Sequence, residues 1–309
     1  MMVRSGAALA IFSFILWGIT PLFYRLLPGA EPIEMLAQRV LWSLPLLLLV
    51  RPLIKQRTRW QEVWQDKRSL LFCLLGTSVM AISWCTFTYA MTHDQVLAAS
   101  LGYFINPLFS ILLGMIFLHE RLSLSQKLAV LFAFAGVSYQ LWQYGQLPVL
   151  ALIMGSAFAL YGLIRKFIRF DIITALTVET LWLFPVAIGL TIWLSTSGES
   201  ALTDADTTTR IYYALTAPVT LLPLLFFAAA IKRTTLTVIG LSQYIEPTIQ
   251  FLLAIFLFNE AFDKVKGVSF TLIWIGLLFC MSGLLKGWIL QRRRGDLLVS
   301  DNQSKPKVI

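Results

Sequence analysis

Two dipeptides set inside apolar runs carry the chemistry this chain could do. Asn106 precedes Pro107 in LGYFINPLFSILLGMIFLHE, and Glu246 precedes Pro247 in LSQYIEPTIQFLLAIFLFNE. Proline has no N–H to give the carbonyl four residues back. The carbonyls of Tyr103 and Gln243 are therefore expected to be free, with Pro107 and Pro247 as helix breaks. Beside them stand Asn106, Glu246, Tyr103, Tyr244 and Gln243, a set able to hold a polar solute and to take a proton at the carboxylate. Each dipeptide lies about ten residues into its run, roughly 15 Å along a helix and hence near the middle of a bilayer. A polar group at that depth is costly unless it faces protein or water, and a carboxylate there is rare. A cavity lining is the favoured reading. The plainer alternative is a pair of kinked structural helices whose side chains are neutral and bonded internally.

Arg39 and Glu179 sit about six residues into runs of their own, roughly 9 Å deep from opposite faces, which makes them poor partners for each other. Arg39 either snorkels to the headgroups or lines the cavity. The shorter Glu179 is expected to pair with a polar neighbour or to face the cavity. Glu120 and Glu260 end their runs, where a carboxylate opposes the helix dipole, so basic residues of the hairpins or interfacial water are the expected partners. Trp17, Trp42, Trp84, Trp182 and Tyr161 could stack on a substrate, although Trp and Tyr are also ordinary interface residues of membrane proteins. His93 and His119 have no motif around them, and Cys73, Cys85 and Cys280 lie far apart in apolar runs. With no Walker loop, metal-ligand cluster or Ser-His-Asp set, no enzyme activity, cofactor or metal is expected.

The elements that must position these groups follow from composition. Of 309 residues, 58% are hydrophobic and 13% charged, with a mean hydropathy of +0.75, which excludes a soluble globular domain. Runs long enough to span a bilayer fall at approximately 6–26, 33–53, 70–91, 96–118, 124–143, 148–168, 173–195, 211–231, 237–258 and 265–287. The expectation is an all-α membrane protein of ten transmembrane helices, the first a retained span and not a cleaved signal. The net charge of +9 is scattered through the gaps between runs, so no nucleic-acid partner is expected. The partners expected are the lipid bilayer, a small-molecule substrate and protons, with the oligomeric state open. If the N-terminus is cytoplasmic, twenty of the twenty-five basic residues fall on the inner side, Arg165, Lys166 and Arg169 among them. That bias predicts both termini inside and residues 196–210 outside. Residues 54–69, with Trp60 and Trp64, are expected to hold a surface-lying turn of helix inside. The polar tail 291–309 is expected to be cytoplasmic and disordered.

The chain also states its pattern twice. At an offset of 140 residues (241 against 101), Leu101 meets Leu241, Phe104 meets Tyr244, Pro107 meets Pro247 and Glu120 meets Glu260. Arg39 meets Glu179, and Trp42 and Pro45 meet Trp182 and Pro185, at the same offset. Ten runs in two copies leave five per copy, and an odd number inserts the second copy upside down. Two inverted five-helix repeats are thus expected, over 1–145 and 146–290. Such repeats are common in secondary transporters, with the substrate near the midplane at the repeat interface.

The Trp17-Gly18 pair of the first run, LGYFINPL of the fourth with its trailing HER, and QYIEPT of the ninth with its trailing Glu resemble the drug/metabolite transporter superfamily. Within it the resemblance is to the EamA family and its RarD-like permeases, named for chloramphenicol sensitivity, and it covers nearly all of 6–287. It implies a bacterial inner-membrane permease that moves a small organic metabolite or drug by alternating access. Runs 1–4 and 6–9 would enclose a central cavity, with runs 5 and 10 peripheral. Carried over by position, the cavity residues are Trp17, Arg39, Trp42, Tyr103, Asn106, Tyr161, Glu179, Gln243 and Tyr244. Glu246 departs from the pattern, since RarD-like sequences usually carry a small residue there. Proton coupling at Glu246 would therefore belong to this chain and not to the family. An uncoupled facilitator of the same fold is the first alternative, and a membrane enzyme or receptor the second.

Overall fold

The computed structural model describes residues 6–27, 30–53, 60–93, 95–145, 149–203, 205–259, 263–280 and 282–283. Glu260, residues 54–59 and the tail from Gln291 lie outside them. Among the described residues every regular element is helical. In chain order these are α1 (Gly6–Gly18), α2 (Thr20–Tyr24), α3 (Pro32–Leu53), α4 (Trp60–Gln65), α5 (Lys67–Thr92) and α6 (Val96–Phe117). Then come α7 (Leu124–Tyr144), α8 (Val149–Arg165), α9 (Ile172–Ser197), α10 (Thr207–Ile231), α11 (Leu236–Gln243), α12 (Ile245–Phe256) and α13 over 264–280.

Among the described residues, seven segments are long and apolar enough to cross a membrane: Gly6–Tyr24, Pro32–Pro52, Lys67–Ala90, Ser100–Phe117, Ile172–Ser197, Thr207–Ile231 and Leu236–Phe256. The helices α7, α8 and α13 occupy the three other apolar runs. The chain is an all-helical, multi-pass membrane protein.

Helix starts are set by short polar side chains that accept from otherwise orphaned amides. Asp66 accepts from the Ser69 amide, Asp171 from Thr174, Asp206 from Thr209 and Thr235 from Val238. Ser123 and Gln126 form a reciprocal capping box at α7. Hydrogen bonds from the Ser69 hydroxyl and amide hold the Asp66 carboxyl below the usual carboxylate range. At the other ends, Gly145 and Gly198 close α7 and α9 with φ of 63° and 78°, a left-handed turn that a Cβ would disfavour.

The prolines behave differently from the sequence expectation. Helix α6 runs without interruption through Pro107, because a proline has helical φ and removes only one ladder bond. The second copy does break, but at Tyr244, between α11 and α12. Pro247 is then the third residue of α12, where the missing N–H would have had no intrahelical partner.

The described residues fall into two compact units, one within 6–120 and 149–259, the other within 121–145 and 263–283. In the first, α6 packs on α8 and α11, α5 on α8 and α9, α3 on α9 and α10, and α1 on α10, α11 and α12. Lipid gives apolar helices no hydrophobic reason to associate, so close backbone approach matters more. A Cβ on Gly155 would lie 3.1 Å from the Asn106 amide nitrogen, and one on Gly240 would lie 2.8 Å from the Pro107 carbonyl oxygen. Glycines of α8 and α11 thus let both helices press on the backbone of α6. In the second unit the Ser269 hydroxyl donates to the Gly136 carbonyl at 2.9 Å, and Phe132 stacks on Phe279.

Candidate functional site: a charged and aromatic cavity

The first unit encloses a cavity of about 540 Å³. Its walls come from the end of α1 and α2 (Trp17, Tyr24), the start of α3 (Met35, Arg39) and the end of α5 (Trp84, Phe87). The middles of α6 (Tyr103, Asn106), α8 (Phe158) and α10 (Thr216, Thr220), with the first half of α12 (Glu246, Gln250), complete it. The cavity thus runs from one end of the helices to their middle. Toward the other end, Leu9, Phe14, Leu47, Tyr161, Phe227 and Ile239 pack into an apolar core.

Among the described residues, two charged side chains line the cavity, Arg39 and Glu246. The Arg39 guanidinium lies 4.6 Å from the Trp84 ring centroid, a cation–π contact that holds the charge at the wall. Glu246 accepts from the Gln250 amide at 3.3 Å, one turn further along α12. Asn106 is 8% exposed, and its amide oxygen has no hydrogen-bond partner among the described residues. An unmet buried acceptor costs about 1–3 kcal/mol, so a donor brought into the cavity would be bound there.

A smaller pocket of about 40 Å³ adjoins the first. Arg39, Trp84, Thr220 and Leu224 line both, while Ser43, Thr77, Tyr161 and Glu179 belong to the smaller one. Here Glu179 Oε2 accepts from Tyr161 Oη at 3.0 Å and from Arg165 Nη1 at 2.6 Å, and Arg165 also donates to Tyr161 Oη at 2.6 Å. Tyr161 and Arg165 are one turn apart on α8 and face α9 together.

Sequence reasoning missed Arg165. It stood among the basic residues assigned to an inner loop, yet it is 3% exposed and paired with Glu179. The available signal was the four-residue spacing from Tyr161, which puts both on one helix face. Glu34 was missed as well. It is buried at the start of α3 and accepts from the Ser200 hydroxyl, the Ala201 amide and the Tyr213 hydroxyl, tying the 198–203 connection to α3 and α10.

The sequence candidates divide into three groups. Trp17, Arg39, Tyr103, Asn106 and Glu246 meet at the large cavity, and Tyr161 and Glu179 at the small one. Gln243 and Tyr244 are buried away from both: Gln243 accepts from Ser110, and Tyr244 donates to the Phe104 carbonyl at 3.2 Å. Trp42 is 48% exposed on the outside of α3, because Ser43 and Arg39 take the inward face. Glu120 finds its hydrogen-bond donors outside its own hairpin. It accepts from the amides of Leu236 and Thr237 and from the Thr237 hydroxyl, and so caps α11 from the other sequence half. Lys166 donates to the Thr234 carbonyl close by.

Residues 4–141 match the model of the EamA-like transporter family. The protein RarD of Escherichia coli is 36% identical over 282 residues, covering 91% of this chain and 95% of that one. An uncharacterized transporter of Vibrio cholerae is 37% identical over 295 residues, covering 94% and 97%. A chloramphenicol-sensitive protein RarD of Pseudomonas aeruginosa is 28% identical over 290 residues, covering 92% and 93%. A crystal structure 14% identical in sequence shares the fold, with a TM-score of 0.67 over 89% of this chain and 96% of its own. The chain belongs to the EamA-like transporter family and is a homologue of the RarD proteins.

Proposed function

We propose that the chain is a bacterial inner-membrane secondary transporter that moves a small organic metabolite or drug by alternating access. The cavity carries this reading. Its volume of about 540 Å³ falls in the range of small-molecule sites, about 300–1,000 Å³. Aromatic faces with one cation, one anion and an unmet amide oxygen suit an organic solute better than a bare ion. The packed apolar core toward one end of the helices supports access from one side at a time. The proposed coupling site is Glu246, neutral when alone and ionised when a cationic group or Arg39 comes close.

The proposed topology is ten spans in two inverted five-helix repeats, 1–145 and 146–290, with both termini cytoplasmic. Two features of the first unit support the duplication. His119 and Asn259, the positive-φ non-glycine residues among those described, stand at matching points of the two copies. The helix pairing also survives exchange of the copies. The α1–α10 packing becomes α8–α5, while α3–α9 and α6–α11 return to themselves. Compact units and repeats answer different questions, since each unit draws helices from both sequence halves.

A thermal-shift screen of purified protein against metabolites and drugs, chloramphenicol among them, tests the reading. A bound solute should stabilise by about 2.7 kcal/mol at a hundredfold excess over Kd, and Asn106→Ala should weaken that shift. Flux of the hit into vesicles would follow, driven by a proton gradient for coupled transport and independent of it for a facilitator. No stabilising solute and no flux would return the chain to the class of non-transporting membrane proteins.

A further inference from the structure

Glu179 is 7% exposed, and one of its carboxylate oxygens, Oε1, has no hydrogen-bond partner among the described residues. The same side chain lines the 40 Å³ pocket, together with the hydroxyl-bearing residues Ser43, Thr77 and Thr220. The pocket has room for a water molecule, which needs only about 10–15 Å³ of such volume, and Glu179 with these hydroxyls offers the two or more polar partners it requires. Arg39 and Thr220 line both pockets, so the small pocket meets the large cavity at their side chains.

We propose that Glu179 is a proton-binding site fed from the substrate cavity through this small pocket, and that protonation releases Arg165. The charges exclude the competing ligands. Among the described residues Glu179 is the one carboxylate lining the pocket, it is already paired with Arg165, and Arg39 lines the same pocket, so a metal cation finds a single anionic ligand there. An anion would face the open oxygen of Glu179. A proton suits both. A hydronium ion in the pocket gives its proton to Oε1 and leaves as water, while Arg165 keeps its charge. The Glu179–Arg165 pair then goes from neutral to singly positive, and a buried cation without its anion is unstable in place. The other titratable groups facing the pair are Cys73 from α5, Tyr161 from α8 and Lys232 at the end of α10. None of them replaces the lost negative charge at neutral pH. Tyr161 is part of the packed core, so release of Arg165 loosens the closed end of the unit.

The consequence for access rests on the transport reading, but its test needs no substrate. In a variant lacking Cys73, Cys85 and Cys280, a single cysteine replaces Ile239, which is buried in the packed core. Inside-out vesicles are treated with an impermeant thiol reagent at high and low pH, with rates normalised to the unfolded chain. Labelling should rise on acidification by up to about tenfold per pH unit, the limit for linkage to one proton. Glu179→Gln should label quickly and equally at both pH values. Ser43→Leu, which fills the pocket and leaves the ion pair intact, should blunt the pH response and serves if Glu179→Gln does not fold. A response that persists in either variant, or a position 239 that never reacts, overturns the proposal. Solute flux measured in the same vesicles distinguishes that failure from failure of the transport reading.

Discussion

Glu246 and Glu179 are both acids inside the helical unit, and their neighbours give them different work. Glu246 faces the large cavity with Gln250 as its hydrogen-bond partner, whereas Glu179 holds Tyr161 and Arg165. The Glu246→Gln variant keeps the shape and hydrogen bonding of the neutral acid but cannot ionise. Flux through it should lose its dependence on a proton gradient, and a wild-type rate and pH profile would reduce Glu246 to plain lining. Asn106 and Glu246 were legible in the sequence because a polar residue before proline in an apolar run has few cheap explanations. Arg165 was not. Lys166 and Arg169 follow it, and a basic cluster at the end of an apolar run reads as an orientation signal. Only the position of α9, brought by the fold, gives that arginine its partner.

At the scale of elements, the helices were legible and their ends were not. Apolar runs of bilayer length have one way to satisfy their backbone, which is why helices occupy all of them. A proline's consequence depends on its place in the helix: Pro107 lies mid-helix and is carried, while Pro247 falls in a first turn that starts after Tyr244. Nothing local announced that Glu120 would cap α11, since its partners are more than a hundred residues away. Glu120→Ala removes the acceptor for two orphaned amides and should lower stability by about 1–2 kcal/mol, the upper range of a capping loss. A thermal melt in detergent measures it. An unchanged midpoint would mean that water replaces the carboxylate without cost.

For the whole molecule, the proposed duplication is read from the sequence pattern itself. The offset of 140 residues brought Phe104 and Tyr244 into register, and their side-chain-to-backbone hydrogen bond joins those matched positions. Outward-facing aromatics such as Trp42 show where the pattern misleads, because a duplicated residue can be duplicated for its lipid-facing role. The central claim is that one cavity is reached from each side of the membrane in turn. The most direct measurement places a single cysteine at Asn106 in a variant without Cys73, Cys85 and Cys280. Its modification by an impermeant thiol reagent is then compared in right-side-out and inside-out vesicles. Alternating access predicts modification from both sides, with no ionic conductance through the same vesicles. Modification from one side alone would contradict it.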